Sequence, residues 1–73
     1  MVMSEIPRQG DFVVSYQQGE GFVIERRGPQ NEWKRVAFEQ GRLDALKSAL
    51  TLARENGTKA WTYELDNQHL EIR

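Results

Sequence analysis

The stretch LDALKSALTLARENG, from Leu43 to Gly57, decides the fold. Leu43, Leu46, Ala49, Leu50 and Ala53 recur at intervals of three and four, which sets them on one face of a helix. Asp44, Lys47, Ser48, Thr51, Arg54 and Glu55 fall largely elsewhere. Asn56-Gly57 supplies a left-handed stop. The start is poorly marked, because no Ser, Thr, Asp or Asn stands immediately before Leu43. Asp44 and Glu39 still place negative charge near the positive end of the helix dipole. A lone helix with one apolar stripe needs a sheet to bury it.

Upstream of the helix the pattern is strand-like. DFVVSY (Asp11 to Tyr16) is rich in β-branched and aromatic residues. QQGEG, at 17–21, is a glycine-containing connection suited to a hairpin. GFVIERR (Gly21 to Arg27) is the second strand, GPQN at 28–31 is a turn, and WKRVAF (Trp33 to Phe38) is the third strand. Alternation puts Val36 and Phe38 on one face with Lys34, and Trp33, Arg35 and Ala37 on the other. The connections are too short for crossovers, so the three strands form a meander. Downstream, TKAWTYEL (Thr58 to Leu65) reads as a strand, Asp66-Asn67-Gln68 as a turn and HLEIR (His69 to Arg73) as a last short strand.

The reading is an α+β domain in the order β-β-β-α-β-β, a small antiparallel sheet with one helix packed across one face. Its expected core is Phe12, Val14, Phe22, Ile24, Val36, Phe38, Leu43, Leu46, Leu50, Ala53, Trp61, Tyr63, Leu70 and Ile72. One helix cannot cover such a sheet, so apolar surface should remain as a partner site. Residues 1–10 lack a period and contain Ile6-Pro7. They read as a flexible N-terminal arm on a single domain of residues 11–73, with Met3 and Ile6 as its apolar contacts.

Composition narrows the function. A chain of 73 residues makes one domain. At that size only about 60% of the unfolded surface is buried, which leaves little core to spend on an enclosed active site. The absence of cysteine excludes disulfides, thiolate zinc sites and cysteine nucleophiles. No apolar run is long enough to span a membrane, and the start has no apolar signal core. The expectation is a cytoplasmic monomer without membrane contact. Ten basic residues face eleven acidic ones, without a basic half. Duplex DNA binding through phosphates, which calls for a Lys and Arg surplus, is disfavoured.

No motif carries catalysis, a cofactor or a metal. His69, the lone histidine, could act as a base only with a partner such as Asp66 or Glu71, and a histidine beside a turn is more often a surface residue. Glu64, Asp66 and Glu71 lack calcium-loop spacing and read as a solvated face. The glycines form no phosphate loop, and the serines lack a nucleophile elbow. The expectation is therefore no catalytic, cofactor or metal residues.

The densest feature is Arg26, Arg27, Trp33, Lys34 and Arg35 around the second hairpin. Four cations and an indole at one end of a sheet suit an acidic protein surface, since Arg and Trp are enriched in interface hot spots. They also suit single-stranded RNA, whose bases stack on aromatic rings. The plain alternative is a set of hairpin charges balanced by Glu25 and Glu32. With Ile6 and Arg8 from the arm, these residues are the candidate partner-binding set.

Two resemblances add to this. GFVIE in the second strand, the helix ending in NG, the WTYEL strand and the DNQHLEI close resemble a set of short bacterial domains without assigned function. The whole chain, by length, near-neutral charge and lack of cysteine, resembles the small RNA-polymerase-binding transcription regulators of lytic Xanthomonas phages. That resemblance implies a non-enzymatic protein acting in the host bacterial cytoplasm. It would bind the polymerase large subunits near the β′ N-terminal region and the RNA exit region, block σ-dependent initiation and promote antitermination. The other reading is a small RNA-binding module that uses the sheet or the Arg26–Arg35 hairpin.

Overall fold

A computed structural model describes residues 6–63 and 68–73. Met3, Glu64, Leu65, Asp66 and most of the 66–68 turn, which entered the expectations above, lie outside the described residues. The elements follow the expected order: β1 (Phe12–Gln17), β2 (Gly21–Arg27), β3 (Trp33–Glu39), α1 (Arg42–Asn56), β4 (Ala60–Tyr63) and β5 (His69–Ile72). They build one five-stranded sheet, ordered β3-β2-β1-β4-β5.

The sheet is mixed, which corrects the expectation of a wholly antiparallel one. β1 pairs with β2, β2 with β3 and β4 with β5 in antiparallel fashion, but β1 and β4 run parallel. Two hairpin reversals leave β3 pointing the same way as β1. The helix then returns the chain across the sheet, so β4 starts in that direction too and docks on the edge of β1 left free by the meander. β1 thereby becomes the central strand.

Gly41 is the N-cap of α1 and contributes no side-chain hydrogen bond, while Gly57, at φ +68°, ends the helix in the left-handed region. The N–H groups of Gly57 and Thr58 donate to the carbonyls of Arg54 and Ala53. These bonds satisfy carbonyls that a helix end would otherwise leave open. Gly21 has φ +104°, and a Cβ there would stand 3.0 Å from the carbonyl oxygen of Glu39. Glycine lets β2 leave its turn while pressed against the end of β3.

The helix meets the sheet through Ala45, Ala49 and Ala53, packed with Phe12, Val14, Ile24 and Ala60. Leu46 and Leu52 flank that stripe, and Phe22, Ala37 and Ile72 close its margins. The expected stripe, centred on Leu46 and Leu50, is therefore turned by roughly 60°, at about 100° per residue. Leu43 is 71% exposed, and Leu50 is only partly buried. The stripe of small side chains lets the helix axis lie close to the sheet, and leucines in those positions would hold it off.

β3 departs from simple alternation. Its register with β2 shifts between Ile24 and Glu25, where Val36 is an extra residue. A bulge of this kind breaks the period of two. Ala37 consequently faces the helix, whereas Phe38 pairs beside Val23 on the other face. Val36 and Phe38, expected in the core, are exposed, as is Leu70 on the edge strand β5. On β4 the small Ala60 faces the helix, and Trp61 and Tyr63 turn to the opposite face. Trp61 is buried there and Tyr63 is exposed, so the expected inward Tyr63 is also corrected.

Candidate functional site

The face away from the helix is built around Asp11. The residue is 6% exposed. Oδ2 accepts from the Arg8 backbone N–H at 3.0 Å and from Trp61 Nε1 at 2.9 Å, and Oδ1 accepts from the Lys59 backbone N–H at 3.1 Å. Burying a carboxylate is tolerated only with such donors. Asp11 thus ties the N-terminal segment and the start of β4 to the central strand. Residues 7–10 are held against the domain: Pro7 is buried, the Gly10 N–H donates to the Arg27 carbonyl, and Arg26 Nε donates to the Gly10 carbonyl.

The expected partner-binding residues gather at one end of the sheet but divide between its faces. Arg26 pairs with Lys34, and its guanidinium lies 5.1 Å from the ring of Phe12 on the helix side. Arg26, Arg27 and Lys34, with Gln9, Gly10, Gly28 and Pro29, border a concavity of about 230 Å³. Ile6 and Arg8, on the adjoining segment, are exposed. The arm and the hairpin, far apart in sequence, therefore form one surface.

Arg27, Trp33 and Arg35 belong to the other face. The Arg27 guanidinium lies 5.3 Å from the Trp33 ring centroid and donates to Asn31 Oδ1 at 2.7 Å. Asn31, at φ +63°, turns the hairpin tip back toward it. Arg35 Nη1 donates to Glu20 Oε1 at 3.1 Å, an exposed pair that links the β2–β3 hairpin to the β1–β2 turn.

A second concavity, of about 600 Å³, opens on this face. Val13 and Ser15 of the central strand form its floor, Arg27 and Trp33 one side, and Tyr63 and His69 the other. Glu25 also lines it. The His69 and Tyr63 rings meet edge to face at 5.0 Å. Burial, and then the Arg27 guanidinium, lower the His69 pKa from its ordinary 6.5. The imidazole is therefore neutral at neutral pH and presents an uncharged ring.

His69 thus faces an aromatic ring and a guanidinium. Of the carboxylates considered as its partners, Glu71 is engaged by Lys59 and Arg73, at 3.8 and 3.6 Å. Among the described residues, no group of three or more His, Asp or Glu side chains converges as a metal site would require. No helix of the described residues is long and apolar enough to cross a membrane.

Sequence reasoning missed Asp11, Tyr63 and His69 as parts of this face. In the sequence Asp11 is only the first residue of the DFVVSY strand. Tyr63 is expected inward with Trp61 because the two alternate with Thr62, and alternation alone does not say which of the two faces the helix covers. Searches of family models, curated proteins and solved structures return no match to this chain.

Proposed function

We propose that this chain is a non-enzymatic transcription regulator that docks on bacterial RNA polymerase, hinders σ-dependent initiation and favours reading through terminators. The whole-chain resemblance to phage regulators supplies the partner. The observation that carries the reading is the meeting of the N-terminal segment and the β2–β3 hairpin: Gln9 and Gly10 border one concavity with Arg26 and Lys34, and Ile6 and Arg8 are exposed on the segment that leads into it. An apolar side chain set among cations matches the make-up of a protein-docking surface. The contact would lie on the large subunits, near the β′ N-terminal region and the RNA exit region. Docking regulates only if it favours one polymerase state, and hence requires different affinities for core enzyme, holoenzyme and elongation complex.

The test is capture of purified bacterial core polymerase and σ-holoenzyme on the immobilised, nuclease-treated protein, followed by promoter and terminator assays in vitro. Retention of the large subunits, loss of σ-dependent transcripts and longer products past a terminator are expected. Failure to retain either form of the polymerase overturns the proposal.

A further inference from the structure

The concavity on the face away from the helix has a composition that packing alone does not explain. Trp33 and Tyr63 are 39% and 44% exposed, whereas Trp61 on the same face is buried. Trp33 shares the concavity with Arg27 on one side, and Tyr63 shares it with His69 on the other. In register, Arg27 stands level with Asp11, and Tyr63 stands one step beyond the Val14–Thr62 pair. The two aromatic sites are therefore offset by roughly four residues along the strands, ~13 Å. That makes a trough rather than a single pit.

We propose that this trough binds a short single-stranded stretch of nucleic acid, with bases stacked on Trp33 and Tyr63 and a backbone phosphate held by Arg27. Every base has a π face, so aromatic platforms on an open sheet accept unpaired strands with little regard to sequence. Arg27 has five N–H donors, and the bond to Asn31 leaves several for a phosphate. Glu25 lines the same trough as an acceptor. It suits the N–H groups on the edge of a base and repels phosphate, which directs the backbone to the Arg27 side. A duplex hides its base faces and is not a ligand of this trough. The chain also lacks the cationic surplus by which duplex binders hold phosphates, since its net charge is −1. Stacking with one or two phosphate contacts does not need that surplus. The inference is independent of the polymerase reading and can stand if that one falls.

The experiment is fluorescence anisotropy of labelled oligocytidine, as RNA and as DNA of the same length, titrated with the full chain at low and moderate salt. A blunt RNA duplex and dextran sulfate are the comparisons. Saturable binding of either single strand is expected, with the duplex weaker. Both strands binding alike assigns recognition to bases and phosphate. A preference for RNA adds a 2′-hydroxyl contact. Trp33→Ala and Tyr63→Ala should each lower affinity about tenfold or more, with the far-ultraviolet circular dichroism unchanged. Arg27→Gln should reduce the salt slope by ~0.7. No saturable binding overturns the proposal. So does affinity unchanged in Trp33→Ala and Tyr63→Ala, or dextran sulfate competing as well as unlabelled oligocytidine, because each means that charge alone is responsible.

Discussion

Asp11 and Trp61 are joined across 50 residues of sequence by an indole N–H donating to a carboxylate at 2.9 Å, and both are buried. The bond runs beside the parallel β1–β4 pairing, where Val13 stands opposite Trp61. It closes a loop of 50 residues. The same carboxylate takes the backbone N–H groups of Arg8 and Lys59, so one side chain serves three segments.

Asp11→Ala should therefore be among the most damaging single changes. It strands three donors, and loss of a buried partner costs about 1–3 kcal/mol for each group left unsatisfied, with some recovered from water. A net loss of about 2–4 kcal/mol is expected, a large share of the stability of a domain this small. Asp11→Asn keeps one acceptor oxygen and should cost less. Urea unfolding followed by fluorescence checks both, and a loss below about 1 kcal/mol for Asp11→Ala would contradict the role assigned to the carboxylate.

A second expectation concerns the helix. Ala45 and Ala49 are fully buried against the sheet, and Leu43 is almost free of it. Ala49→Leu should destabilise by about 1–3 kcal/mol, because a larger side chain there must push the helix off β1. Leu43→Ser should change stability by no more than about 0.5 kcal/mol. The stripe anticipated from sequence alone holds Leu43 inward as well as Ala49 and would make Leu43→Ser costly too, a reversal of the outcome at Leu43, so thermal unfolding of that variant tests the helix rotation directly.

That reversal shows where local information stops. The helix and its Gly57 stop, the bounds of β2 and the order of elements were legible, because each depends on period or punctuation within a few residues. Leu43, Leu46 and Leu50 are more hydrophobic than Ala45 and Ala49, so periodicity weighted by size points the wrong way. Which stripe is buried is decided by how near the sheet lets the helix come. The Val36 bulge left no glycine or proline to mark it, and it moved Phe38 to the other face. At the candidate site, the grouping of Arg26, Arg27, Trp33, Lys34 and Arg35 at one sheet end was readable from a short turn. Their division between two faces follows from alternation, with Lys34 apart from Trp33 and Arg35, whereas the arrival of Tyr63 and His69 on the face of Arg27 required the β1–β4 pairing.

The Gly57 stop can be tested in isolation. No atom lies within 4 Å of where its Cβ would be. Gly57→Ala should thus cost about 1 kcal/mol through the left-handed backbone alone. Gly57→Asn, which tolerates that conformation better, should recover part of it. Equal stability of Gly57→Ala and the parent chain would show that the helix end relaxes without strain.

His69 gives stability a pH dependence of known sign. Burial and Arg27 lower its folded-state pKa below 6.5, so the unfolded chain binds more protons as pH falls through that range. Stability should then decrease as pH drops below about 6.5 and level off, for this group, once the pH is under the folded value. Above that window His69 contributes no slope. His69→Gln should remove this component, so the parent chain and the variant should diverge on acidification and run parallel from neutral pH upward. Denaturant midpoints measured from pH 5 to 8 provide the comparison, and curves parallel throughout would contradict the burial of the imidazole beside Arg27.

The two faces can be separated by charge reversal. Arg8 and Lys34 are exposed on the end surface formed by the N-terminal segment and the hairpin, and neither lines the aromatic trough. Arg8→Glu with Lys34→Glu should weaken polymerase capture about tenfold or more, since like charges against an acidic partner surface cost affinity and slow encounter. The same variant should bind single-stranded oligocytidine with a loss of only a few-fold, from long-range repulsion that moderate salt screens. Tyr63→Ala should behave in the opposite way, keeping the polymerase and losing the oligonucleotide. Capture and anisotropy on these two variants form a crossed comparison. Parallel losses in both assays would mean that the chain has one binding surface, with the trough and the hairpin end working as a single unit.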